Sequence, residues 1–262
     1  MKNIQLVIPA AGLGSRFANH GYLKPKPLID VAGLPMILWV LGNFELRRGD
    51  AVIIVSRVGL EIEEGIQDLI RHLGLNIKFI DVPVLTEGPA ITVQHAKLLL
   101  DLDLPLIVAN SDQFVSGSIL NFTQQLRQSQ KDLGLILTMT ASSSKWSYVG
   151  RGQDGSVNRV IEKVEISSEA TVGVYGWTSA QLFFKSLDEM IASNDRTNNE
   201  FYVAPTYNYL ISNGTEVATY HVGDVEESVH GLGTVEDLLE FLGNPNLPTF
   251  VDLTKKALGI YE

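Results

Sequence analysis

From residue 4 to residue 112 the chain repeats one rhythm: a short apolar run, a loop, an amphipathic stretch, then another apolar run. A parallel strand buried on both faces reads as such a run, and its parallel neighbour is reached through a crossover helix. The pattern predicts strands over 4–9, 51–56, 77–82 and 105–109, with helices over 35–47, 61–73 and from 89 to about 100. After residue 133 the texture changes. Strands are expected over 133–141, 157–164 and 171–177 without regular helices between them, which describes a mixed-sheet extension. Helices over 179–193 and 200–212, a strand over 216–222 and a short helix over 235–242 complete the reading. No linker, low-complexity tract or repeat divides the 262 residues. The expectation is one domain over 1–262, with a first half of about 1–115 and a second of about 116–245.

Composition narrows the function classes. Hydrophobic residues are 45% and charged residues 19% of the chain, enough apolar material for a large core. The net charge of −10 argues against a nucleic-acid partner, which needs a cationic face. Positive charge nevertheless gathers early: Lys2, Arg16, Lys24 and Lys26 stand against Asp30 alone. With no cysteine, disulfides, thiolate metal sites and a cysteine nucleophile are excluded, which fits a cytoplasmic setting. The apolar run after Met1-Lys2 is too short for a signal-peptide core, and no run reaches the roughly 18 residues of a membrane helix, so no membrane partner is expected. Whether the chain forms a homo-oligomer is left open.

Ligands of an open parallel sheet bind beyond the carboxyl ends of its strands. Three loops follow expected strands directly: 10–26, 86–89 and 110–112. The first holds Ala10-Ala11-Gly12-Leu13-Gly14-Ser15-Arg16, where glycines let backbone N–H groups face an anion. Arg16 can fork across phosphate oxygens and Lys26 can serve as a mobile cation. The loop lacks the Gly-Lys-Ser/Thr of a Walker motif. It also carries Phe17 where a dinucleotide fingerprint needs a third small residue, and the second strand ends in Ser56-Arg57 rather than an acid. A triphosphate suits the cation cluster better, although the glycines alone are equally compatible with an ordinary strand-to-helix turn. The third loop delivers Asp112 from a buried strand, a carboxylate suited to Mg²⁺; the alternative makes it the cap of a helix starting near Ser116.

Residues 11–17, then Lys24-Pro25-Lys26-Pro27-Leu28, then Gly33 with Pro35-Met36-Ile37, resemble as a set the opening signature of the sugar-phosphate nucleotidyltransferases (NDP-sugar pyrophosphorylases). The resemblance covers about residues 4–240 and is weakest between 115 and 155. It implies a Rossmann-like, mostly parallel sheet flanked by helices, with the mixed-sheet extension forming the sugar side of the pocket. No hexapeptide array is present, so no C-terminal β-helix is expected. The implied activity couples a nucleoside triphosphate to a sugar 1-phosphate or similar small acceptor, with Mg²⁺ as cofactor and release of pyrophosphate. The implied assignments are Ala10, Ala11, Gly12, Gly14 and Ser15 around the triphosphate, Arg16, Lys26 and Asp112 in catalysis, and Thr86 and Gly88 near the base. Glu162, Lys163, Gly173 and Glu200 fall on the acceptor side. Read without the resemblance, Glu162-Lys163 is an ordinary strand charge pair and 86–90 an ordinary helix start.

One position departs from the family. Many members carry a second metal aspartate two residues before a Gly-Thr pair; here Gly233-Thr234 is preceded at that position by Gly231. Asp224, Glu226, Glu227 and His230 are the neighbours that could replace it, His230 being the nearest. Two rival functions therefore stand beside the first. A metal-dependent glycosyltransferase would present Asp-x-Asp where this chain has Asn110-Ser111-Asp112, and a non-catalytic nucleotide-sugar-binding protein would not need Arg16, Lys26 and Asp112.

Overall fold

A computed structural model describes residues 1–260. In chain order its elements begin with β1 (Gln5–Pro9), α1 (Ser15–Ala18), the hairpin strands β2 (Asp30–Val31) and β3 (Leu34–Pro35), α2 (Met36–Gly42), β4 (Ala51–Arg57), α3 (Ile62–Ile70), β5 (Asn76–Val82), α4 (Pro89–Gln94) and β6 (Leu106–Ala109). Then come β7 (Gln113–Val115), α5 (Leu120–Gln128), β8 (Leu133–Thr140), β9 (Ser147–Arg151), β10 (Val157–Glu162) and β11 (Glu169–Trp177). The last are α6 (Ala180–Ala192), α7 (Thr206–Ser212), β12 (Glu216–Asp224), β13 (Val229–Gly231), α8 (Val235–Leu242) and α9 (Leu247–Ala257).

The apolar runs of the first half become a parallel block in the order β6-β1-β4-β5. Strand alternation divides their side chains between two faces. Leu6, Ile8, Val52, Ile54 and Ile107 pack on one face with α2 and a ring cluster of Trp39, Phe114, Phe241 and Phe250. Val7, Ile53, Val55, Leu106 and Val108 pack on the other with Trp177, Phe183 and Tyr207.

β11 joins this block to the second half. Its C-terminal residues pair antiparallel with β6, Ala170 pairs with β9, and its other edge pairs with β8, beyond which β12 lies parallel. The result is one nine-stranded mixed sheet flanked by helices, as the sequence predicts. The described residues contain no β-helix, and no helix among them is long and apolar enough to cross a membrane.

A buried ion pair fixes the sheet edge. Arg127 of α5 reaches Asp50, just before β4, with Nη1 2.8 Å from Oδ1, and the same carboxylate takes the N–H groups of Ile4 and Arg47. Burial alone would raise the Asp50 pKa; these partners outweigh it and hold the carboxyl below its ordinary range.

Two expectations change. The helix expected over 200–212 starts only at Thr206, after Pro205. Residues 200–203 are instead clamped against the 86–90 loop, Phe201 donating to Glu87 O and accepting from the Ala90 N–H. The helix expected near Ser116 begins at Leu120, capped by Ile119, so Asp112 caps nothing there.

Candidate active site

The carboxyl ends of β1 and β6 point the same way, and the loops that leave them meet. After Pro9 the chain turns through Gly14, whose φ of 63° lies in the left-handed region a side chain disfavours, and whose carbonyl accepts from Phe17 and Ala18. Phe17 anchors the turn by burying its ring edge-on to Tyr22. The loop returns at Lys26, and its Nζ lies 2.8 Å from Oδ2 of Asp112 beyond the end of β6.

Two hollows flank this pair, and Pro89 lines both. One, of about 160 Å³, is lined by Ala10, Ala11, Gly12, Gly14, Lys26, Thr86, Gly88 and Ser111. The other, of about 290 Å³, contains Arg16, Asp112, Glu162, Lys163 and Gly173. The sequence-expected residues are thus gathered along one sheet edge, in two groups. Ser15 is exposed and lines neither hollow. Glu200, expected with the acceptor group, lines the smaller hollow, and its Oε2 accepts from the Tyr202 hydroxyl at 2.6 Å. Gly88 packs so tightly on the 200–201 backbone that a Cβ there would lie 2.6 Å from Phe201 O.

The larger hollow is polar and mixed in charge. Lys163 closes β10 with φ 58°, a left-handed conformation costly for a side chain, with its N–H bonded to Trp146 O at 3.0 Å. Its ammonium donates to the Tyr202 hydroxyl and sits 4.2 Å from that ring's centroid. Burial, then the neighbouring Glu200, push the Tyr202 phenol well up. Glu162 is 8% exposed and accepts from the Ser147 hydroxyl. Burial raises its carboxyl pKa, with Ser147 and Lys163 opposing only in part.

The segment from β13 to α8 forms the opposite wall. Leu232 donates to Asp112 O at 2.8 Å, and strand alternation turns Gly231 and Gly233 into the hollow while His230 faces the core. His230 therefore does not line the hollow that contains Asp112, although with Gly231 and Asp237 it edges a separate small hollow. It is 6% exposed among Phe114, Phe241 and Phe250, and burial lowers its pKa. The carboxylate that does stand over Gly231 belongs to Asp237: a Cβ on that glycine would lie 3.4 Å from Asp237 Oδ2. Asp237 pairs with Lys145 at 3.0 Å, and its N–H is capped by Thr234 Oγ1.

Gln113, Lys145, Ser147 and Asp237 line the larger hollow without having been singled out in the sequence; Asn110 and Tyr175, which lie in segments that the sequence did mark, line it too. For Asp237 the signal was present, an acid in the first turn of α8 directly after Gly233-Thr234. For Gln113 and Ser147 it was not, because β7 and β9 are short and carry no strong periodicity.

Among the described residues no three His, Cys, Asp or Glu side chains converge on one point. The donor set suits Mg²⁺ completed by substrate phosphates, which needs only one or two protein carboxylates. Asp112 already carries a cation, the Lys26 ammonium, and Gly233 leaves its carboxylate clear: a Cβ there would lie 2.6 Å from Oδ2.

A parallel sheet that brings a glycine turn, a lysine and an aspartate together at its strand ends is built to handle a phosphorylated ligand. Residues 5–220 match the family model described as Nucleotidyl transferase, and the chain belongs to that family. It is 24% identical over 236 residues to the bifunctional protein GlmU of Acetivibrio thermocellus, with 87% of this chain and 48% of the relative covered. The chain thus spans about half the length of the curated relatives it matches. In fold it is similar to a nucleoside-diphosphate-sugar pyrophosphorylase from Vibrio cholerae, with a TM-score of 0.79 and 23% identity covering 91% of this chain and all of that one. It is also similar to the inositol-1-phosphate CTP transferase of T. maritima, with a TM-score of 0.72 at 11% identity over 98% of both chains.

Proposed function

We propose that the chain is a single nucleotidyltransferase unit that joins a nucleoside triphosphate to a sugar 1-phosphate or similar phosphorylated small molecule, releasing pyrophosphate, in a cytoplasmic setting. The observation that carries this reading is the meeting of Lys26 with Asp112 at 2.8 Å, between a hollow lined by the glycine loop and one lined by Arg16, Glu162 and Lys163.

The first half, to about residue 115, binds the nucleotide. Backbone around Gly12 and Gly14 faces the phosphates, and the 86–88 loop faces the base. The second half binds the acceptor, with Lys163 holding its phosphate and Glu162 accepting from its hydroxyls. An acceptor phosphate oxygen attacks the α-phosphorus in line. One O–P bond forms there, the α–β bridge breaks, and its electron pair leaves on pyrophosphate. No protein nucleophile is involved. Catalysis comes from holding two mutually repelling anions in line and from cations placed where charge builds. Arg16 and Lys26 stabilise the leaving pyrophosphate. Asp112 would hold Mg²⁺, which would supply charge neutralisation at the phosphates.

The test is a pyrophosphate-release screen with Mg²⁺, pairing ATP, CTP, GTP, UTP and dTTP with the 1-phosphates of glucose, N-acetylglucosamine, mannose and inositol. The expected result is release by at least one pair. Silence with all pairs overturns the reading and favours a binding protein; release of a nucleoside diphosphate from a nucleotide sugar instead favours a glycosyltransferase.

A further inference from the structure

Gln113 follows Asp112 directly and is 7% exposed, yet it lines the larger hollow. Its Oε1 is buried with no hydrogen-bond partner. Buried polar atoms are nearly always paired, so an orphan beside a cleft points to a group that arrives from outside. Of the five buried side-chain atoms without a partner among the described residues, this one alone belongs to a residue lining that hollow.

Its surroundings are built to hold it there. Gly173 sits at φ 86° within an irregularity of β11, and its carbonyl accepts from the Asn110 N–H at 2.9 Å. A Cβ at 173 would overlap both Gln113 Oε1 and Asn110 Nδ2. The glycine therefore makes room for two carboxamides, one on each side of Asp112 in sequence. Asn110 also lines the hollow. These groups are neutral. A carbonyl oxygen repels an anion, and Arg16, Lys145 and Lys163 line the same space to receive the acceptor's phosphate. What a carboxamide oxygen takes is a hydrogen-bond donor, and the part of such an acceptor left beside its phosphate offers hydroxyls.

Building on the proposed function, we infer that Gln113, seconded by Asn110, is a specificity-determining residue for the acceptor: its carbonyl accepts from a hydroxyl of a polyol phosphate. A hydroxyl whose partner would otherwise be left buried and unpaired is discriminated strongly from its absence.

The experiment uses the full chain, the best pair from the screen, and the monodeoxy analogues of that acceptor. Gln113→Met keeps the side-chain length and removes the carbonyl; Asn110→Ala is the second variant. We expect Gln113→Met to raise the acceptor KM about tenfold, the scale of one lost hydrogen bond, with the triphosphate KM unchanged within about twofold. One monodeoxy acceptor should cost the wild type a similar factor and cost the variant nothing further. Melting temperature should hold or rise in Gln113→Met, because an unpaired buried carbonyl has been removed; a purely structural role would lower it and leave KM alone. An unchanged acceptor KM in both variants, or a deoxy penalty that persists undiminished in Gln113→Met, overturns the inference while the proposed function stands. A wild type silent with every pair overturns both.

Discussion

Lys26 and Asp112, 86 residues apart in sequence, share a contact of 2.8 Å at the mouth of both hollows. With side chains 23% and 21% exposed, the pair adds little to stability, about 0–1 kcal/mol. Its importance is chemical. In the proposed reaction each partner would screen the other until a polyphosphate offered oxygens to the ammonium and a metal ion reached the carboxylate. Lys26→Met should lower kcat by about 10²–10³, the range seen when a preorganised transition-state contact is lost. Its melting temperature should stay within a few degrees of wild type. Turnover at the wild-type rate would show that Lys26 has no part in the chemistry.

Two glycines of one wall should respond differently to the same methyl group. A Cβ at Gly233 lies 2.6 Å from Asp112 Oδ2 and 3.3 Å from its Cγ, so the carboxylate must move. A Cβ at Gly231 meets Asp237 at an ordinary 3.4 Å. Gly233→Ala should abolish most turnover and weaken Mn²⁺ binding, whereas Gly231→Ala should remain near wild type. Equal activities for the two variants would contradict the placement of Asp112.

Glu162 places a buried carboxyl in the wall of the larger hollow. Burial raises its pKa, so the folded protein binds that proton more tightly than the unfolded chain does. Its contribution to stability therefore falls as pH rises from the ordinary glutamate value of 4.5 through the raised folded value. Glu162→Gln should melt higher than wild type at pH 7–8, lose that advantage as pH approaches 4.5, and bind acceptor more weakly throughout. A melting difference independent of pH would refute the assignment.

His230 gives the opposite sign. Burial lowers its pKa, so the unfolded chain takes up the proton first, and stability present above pH 6.5 is lost as pH falls from there through the lowered folded value. His230→Phe should flatten the melting curve between pH 7 and pH 5. Its Mg²⁺ requirement should be unchanged, since the ring faces Phe114, Phe241 and Phe250. A raised metal requirement in the variant would return His230 to the list of ligands.

The parallel core and its loops were legible because burial on both faces leaves uninterrupted apolar runs, and because glycine, Lys26 and Asp112 occur at their ends. Other elements were missed for identifiable reasons. α2 stops at Gly42 rather than near Arg47: Gly42-Asn43 is a local stop signal that the apolar pattern overrode in the reading, and the glycine also lets the helix approach α9, since a Cβ at 42 would lie 2.7 Å from Thr254 Cγ2. β7 and β13 are three residues each, held by one another. The turn before β10 did carry a hairpin cue in Asp154-Gly155, and α9 carried Pro248 at its start with Lys255 and Lys256 in its last turn. Glu200 and Tyr202 reach the smaller and the larger hollow respectively because Pro205 and the Phe201 clamp suppress a helix that periodicity favours.

β11 has a consequence for motion. Residues 174–177 of the strand pair with β6 and Ala170 with β9, while its far edge pairs with β8 at both ends, on either side of the irregularity between Thr171 and Tyr175. The two halves of the chain thus share a common spine and cannot swing like two jaws without tearing ladder hydrogen bonds.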